Sequence, residues 1–126
     1  MMAIGIKPRL DAALEELRSL PDILSVAIAR RDGLIIDHDL PAEVDPRKVA
    51  AMAAAIVGTS EMSSLELGRG RFLQVIVNGE DGRIIATGAG EEALVLTLVR
   101  NDANMGLVLL GIDKAVHRIE ECLQEA

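Results

Sequence analysis

The chain has 126 residues, with 13 Lys and Arg against 20 Asp and Glu, for a formal net charge of -7. That length suits one domain over residues 1–126 and is too short for two cores, while the charge has the wrong sign for a nucleic acid partner held by its phosphates. Half the residues are hydrophobic, which excludes a disordered chain, but Phe72 is the only aromatic ring, so the core must be aliphatic and no platform exists for stacking bases.

Pro8 suits the first turn of a helix whose apolar residues Leu10, Ala13, Leu14 and Leu17 recur at helical spacing, ending before Pro21. Ile23 to Ala29 reads as a strand, Asp32-Gly33 as a hairpin turn and Leu34 to His38 as the returning strand. Asp45-Pro46 places an acceptor at the N-cap and proline at N1, opening a long second helix that runs to about Leu67, where Gly68-Arg69-Gly70 stops it.

Three strands follow, Arg71 to Asn78, Arg83 to Thr87 and Leu94 to Arg100, separated by the turn signals Asn78-Gly79, Asp81-Gly82 and Gly88-Ala89-Gly90. Short connections favour antiparallel neighbours. The runs Leu73 to Val77 and Leu94 to Val99 are almost wholly apolar, as expected of strands covered on both faces, so helices should flank the sheet on both sides. Asn101, Asp102 or Asn104 caps a last helix with the stripe Met105, Val108, Leu109, Ile112, Val116, Ile119 and Leu123. The order is α-β-β-α-β-β-β-α, an α/β (α+β) chain without repeats.

Chemistry-bearing motifs are sparse. Gly88-Ala89-Gly90-Glu91-Glu92-Ala93 matches a dinucleotide fingerprint on paper, but a strand follows it where the pyrophosphate needs a helix N-terminus, and two glutamates would face the phosphates. The chain contains no G-x-x-x-x-G-K-[ST] loop. Asp37-His38-Asp39 alternate in direction along a strand end, so they read as solvated and not as metal ligands, and His117 reads as a surface residue of the last helix. Ser60, Ser63 and Ser64 have no nucleophile elbow, and Cys122 lies among Glu120, Glu121 and Glu125, a field that disfavours the thiolate. No catalytic residue, cofactor site or metal site is assigned. A lone cysteine and an opening segment, Met1 to Leu10, without a secretory apolar run point to the cytoplasm. The uncharged run Val49 to Gly58 is about half of what a bilayer span needs, so direct membrane insertion is not expected.

The second helix is the informative segment. Val49, Met52, Ala53, Ile56 and Val57 form a stripe able to cover one sheet face, and Ala51, Ala54, Ala55, Gly58, Met62 and Leu65 form another beside it. One sheet cannot bury both. Ala50, Ala54 and Gly58 also line up four apart, which would let another helix approach closely. The spare surface reads as an interface with a second copy of the chain. Arg69 and Arg71 flank the stop of this helix, where cations complement the dipole without a partner; as a partner contact they would act on phosphates.

Asp32-Gly33-Leu34-Ile35-Ile36, the helix Val49 to Ala55 with its end Leu67-Gly68-Arg69-Gly70, the strand Ile84-Ile85-Ala86 and the stretch Asp102 to Leu107 together resemble the roadblock / dynein light chain family, particularly its archaeal and bacterial members. The resemblance runs from about Leu10 to Leu123. It implies a five-stranded antiparallel sheet between helices, related to profilin-like folds, that dimerises through the second helix and the edge strand Phe72 to Asn78. The interface residues it implies here are Ala50, Ala51, Ala54, Ala55, Gly58, Met62, Phe72, Gln74 and Ile76. Free members of the family regulate Ras-like small GTPases without catalytic residues of their own, while others act as scaffolds or heterodimerising subunits. The expected role is a non-enzymatic homodimeric adaptor for such a GTPase, or else a scaffold without effect on nucleotide turnover; Arg69 and Arg71 are candidate GTPase contacts from their own chemistry, and an arginine finger there would depart from the family pattern.

Overall fold

The structure, a computed structural model, describes residues 5–125; the first four residues of the Met1 to Leu10 segment, and Ala126, lie outside them. The elements run α1 (Ile6–Arg18), β1 (Ile23–Arg30), β2 (Ile35–His38), α2 (Pro46–Glu66), β3 (Gln74–Gly79), β4 (Gly82–Ala89), β5 (Ala93–Val99) and α3 (Met105–Gln124). All strand pairings are antiparallel and form a five-stranded sheet in the order β2-β1-β5-β4-β3. The expected succession and sheet are both present.

Local chemistry accounts for the boundaries. The Asp45 carboxylate accepts from the Arg47 N–H at 2.9 Å, with Pro46 at N1, and the Asn104 side chain accepts from the Leu107 N–H at 3.3 Å, which selects Asn104 among the three candidate caps. Gly33 turns the β1–β2 hairpin at φ 92°, a conformation that favours glycine. α1 begins earlier than expected, so Pro8 is its third residue and not its first. Its missing N–H still falls within the turn that has no intrahelical acceptor, which is why the proline is tolerated there.

The sheet has two unlike faces. Alternation along β1 sends Val26 and Ile28 to the side covered by α1 and α3, where they meet Leu10, Leu14, Ile85, Val95, Ile112 and Ile119. Ala27 and Ala29 face α2 and are joined there by Ala86, Leu94 and Leu96. β5, between β1 and β4 with helices above and below, is buried along nearly its whole length, as its apolar run implied.

β3 corrects the corresponding expectation. It is an edge strand bonded only to β4, and Gln74, Ile76 and Val77 are exposed while Val75 alone is half-buried. The helices lie over the inner strands, so this apolar run is not covered on both faces by its own chain. Cys122 faces inward, 2% exposed, with its Sγ 3.6 Å from the Ile6 carbonyl oxygen, so it belongs to the α1–α3 core.

Ile85, fully buried between β4 and the α1–α3 layer, should cost about 2–5 kcal/mol when cut to alanine, by lost transfer energy plus a cavity. Leu107, which is well exposed on α3, should cost about 0.5 kcal/mol or less under the same substitution. Urea unfolding of the two variants checks this; equal losses would mean that the layer is not packed as described.

Candidate interaction surface

α2 seats a narrow stripe on the sheet. Ala50, Ala53 and Val57 are its buried residues, resting on Ala27, Ala29 and Ala86, so small side chains on both sides bring the helix close to the strands. This corrects Ala50, expected at an interface with another chain: it is 1% exposed because its small size serves the contact with its own sheet. Met52, expected to face the sheet, instead points outward and is 58% exposed.

One flank of α2 is held by the β1–β2 turn. A Cβ on Gly33 would stand 3.5 Å from the Ala51 Cα and 3.9 Å from the Ala54 Cβ, so both alanines lie beside that turn; Ala51 is exposed and Ala54 half-buried. Arg31 locks the flank. Its guanidinium pairs with Glu61 at 2.5 Å and donates to the carbonyls of Gly90 at 2.7 Å and Ala93 at 3.2 Å. The remaining surface of the helix is open: Met52, Ala55, Thr59, Met62 and Leu65 are exposed, and nothing lies within 4 Å of where a Gly58 Cβ would stand. Of the expected interface residues on α2, the structure thus brings Ala55, Gly58 and Met62 together on this open side. Met52, which the sequence reading places on the sheet-facing stripe, belongs to this side too, at a spacing of three from Ala55 and ten from Met62.

The expected strand residues divide likewise. Gln74 and Ile76 are exposed on β3, but Phe72 precedes the strand, is half-buried and packs into the α2-side core. Between α2 and β3, Gly68 and Gly70 adopt φ 67° and 85°, and the Ser64 hydroxyl donates to the Gly70 carbonyl at 2.7 Å. Arg69 donates through Nε to the Leu67 carbonyl at 3.1 Å, the bond expected of a cation at a helix end. Arg69 and Arg71 are both exposed.

The other motifs are absorbed by the fold. Gly88 and Ala89 end β4, Gly90 turns at φ 73° and a strand follows, so no helix N-terminus faces this glycine pair. The Ser63 hydroxyl donates to the Thr59 carbonyl at 2.8 Å. His38 and His117 are exposed.

Asp37 corrects the solvated reading of the β2 end. Its side chain is 8% exposed, and Oδ1 accepts from Lys7 Nζ at 3.1 Å and from the His38 N–H at 2.9 Å, while Oδ2 is buried without a hydrogen-bond partner among the described residues. Burial first, and then the neighbouring Asp11 carboxyl, push Asp37 above the usual carboxylate range. Asp11, beside Asp37 and 2.7 Å from Lys7 Nζ, is pushed below it. Asp39 accepts from the Val26 N–H at 2.6 Å and pairs with Arg18 at 2.7 Å. These carboxylates tie both ends of α1 to the β1–β2 edge. Among the described residues no helix is long and apolar enough to cross a membrane.

The family model described as Roadblock/LC7 domain matches residues 9–99. Over 111 residues the chain is 34% identical to an uncharacterized protein of Methanocaldococcus jannaschii, MJ1340, covering 88% of this chain and 96% of that one. The gliding protein mglB of Thermus thermophilus superimposes with a TM-score of 0.87 at 22% identity, covering 100% of this chain and 96% of the other. MglB of Myxococcus xanthus gives a TM-score of 0.88 at 18% identity, over 99% and 95%. At those identities the two structures establish the shared fold.

The raised Asp37 group sets a pH dependence. A carboxyl whose folded pKa exceeds its unfolded value contributes stability at low pH that is lost as pH rises through the folded pKa. Asp37→Asn removes that loss, because the amide does not ionise while its oxygen can keep the bond from the His38 N–H. The melting temperature of the variant relative to the parent should therefore improve as pH rises from below the ordinary aspartate range through and above it. A variant that loses ground over that range would contradict the assigned cause.

Proposed function

The chain belongs to the Roadblock/LC7 family, and from that membership we propose that it is a non-enzymatic homodimeric adaptor that binds and regulates a Ras-like small GTPase. The observation that carries the pairing is the combination of an open side on α2, uncharged at Met52, Ala55, Thr59 and Met62, with the exposed apolar edge β3, two surfaces that the described residues leave uncovered. An apolar edge strand is a template for another strand, and pairing two copies removes the hazard at both edges. The adaptor role is supported by the family resemblance and by a sequence without a phosphate-binding loop, so the nucleotide belongs to the partner. In this reading Ala55, Gly58, Met62, Gln74 and Ile76 lie at the pairing surface, and Arg69 and Arg71, exposed after α2, are the contacts offered to the GTPase.

To regulate, the adaptor must prefer one nucleotide state of the GTPase, since equal affinity for both shifts nothing. Titration calorimetry with GTPases of the same cell, loaded with GDP or a non-hydrolysable GTP analogue and accompanied by hydrolysis and exchange assays, should show one state bound more tightly. Equal affinities with unchanged turnover would leave a scaffold, and no binding would reject the partner. Ala55→Glu should abolish the dimer while leaving the chain folded, because the charge is solvated in the monomer but desolvated without a partner in the pair, at a cost of several kcal/mol. Sedimentation and circular dichroism together read this; a dimer that survives would place the contact on another face.

A further inference from the structure

The open side of α2 carries a seam with a symmetry of its own. Lys48, Met52, Ala55, Thr59, Met62 and Glu66 recur at spacings of four and three, and all six are exposed. Such alternation keeps a seam on one side of a helix facing a partner helix. The four central residues are uncharged, whereas the ends are a cation and an anion 18 residues apart, which is five helical turns. Neither Lys48 nor Glu66 makes an ion pair among the described residues. The seam is also nearly palindromic about position 57: Met52 mirrors Met62, Ala55 mirrors Thr59 and Lys48 mirrors Glu66.

In the two-copy pairing proposed above α2 meets α2 across a two-fold axis, and we propose that Lys48 and Glu66 set the register of that contact and select the partner, each Lys48 facing Glu66 of the other chain with the axis beside position 57. The inference rests on the dimer reading above and adds its register and its selectivity. Parallel pairing would set Lys48 against Lys48 and Glu66 against Glu66, whereas antiparallel pairing satisfies both charges twice within one two-fold contact. At the axis the facing residues are Ala55 and Thr59, with Gly58 next to them and open space where its side chain would be, so the backbones can approach closely where they cross. A related chain that sets a cation against Lys48 or an anion against Glu66 is rejected by like-charge contact, which is how charges flanking an apolar seam choose partners.

Charge exchange tests this. In Lys48→Glu the homodimer sets glutamate against glutamate at both ends, and in Glu66→Lys it sets lysine against lysine. Each variant alone should dimerise about tenfold more weakly than the parent at low salt, the scale of two exposed ion pairs turned to repulsion. Mixed in equal amounts, the two should form a heterodimer of near-parental affinity, since both ends are then complementary, and the double variant K48E/E66K should recover self-association. Native mass spectrometry and sedimentation equilibrium read all of these species. A parent that dimerises while the single variants associate equally well, or a mixture that shows no preference for the heterodimer, would overturn the register and leave the dimer standing. A monomeric parent would overturn the dimer and the register together.

Discussion

The architecture turns on how narrowly α2 is seated. Ala27, Ala29 and Ala86 make a shallow floor on one face of the sheet, and Ala50, Ala53 and Val57 are the residues by which the helix rests on it. Small residues on both sides bring helix and sheet close, and the closeness limits the buried arc to one stripe. A 21-residue helix with no charge between Val49 and Ser60 therefore keeps much of its apolar circumference in the open. On the opposite face α1 and α3 share the work, and most of their large aliphatic side chains face inward, Ile6, Leu107 and Leu110 excepted.

The two faces thus have different fates. The α1–α3 layer completes a core within the chain, reinforced at its rim by Lys7, Arg18 and the carboxylates of Asp11, Asp37 and Asp39. The α2 layer ends in unfinished surfaces on the helix and on β3. Arg31 fixes α2 against the β1–β2 and β4–β5 turns, so the open side is presented on a braced helix and not on a loose one. Such preorganisation lowers the ordering cost of association. In the proposed adaptor, the pairing surface and the glycine-flanked Arg69 and Arg71 adjoin along one stretch of chain, from α2 to β3.

Much of the fold was legible because its signals are local. Asp45-Pro46, Gly33 and the continuous run of β5 each act within a few residues, and the structure uses them as read, while Asn104 is one of three caps that the sequence leaves open. The failures came from composition that fits two environments. Alanine suits both a close contact with a neighbouring chain and a close contact with the chain's own sheet, so Ala50 could not be assigned until the alanines of β1 and β4 were seen beneath it. An apolar run suits both a central strand and a paired edge, so β3 looked like β5. Asp37 was misread for a similar reason: nothing in Asp37-His38-Asp39 indicates that α1, some 30 residues earlier, will bring Lys7 and Asp11 over it. The open seam was partly legible, since Ala55, Gly58 and Met62 were found and Met52 was assigned to the wrong side.

The central claim is that the uncovered α2 and β3 surfaces are completed by a second copy. Amide hydrogen exchange along β3, followed over a dilution series, tests it directly, because β3 pairs with β4 on one side and its other edge is free among the described residues. The expected result is protection of β3 at high concentration that fades on dilution, together with the protection of the exposed side of α2. Rapid exchange of the β3 edge at every concentration, with the rest of the sheet protected, would contradict it.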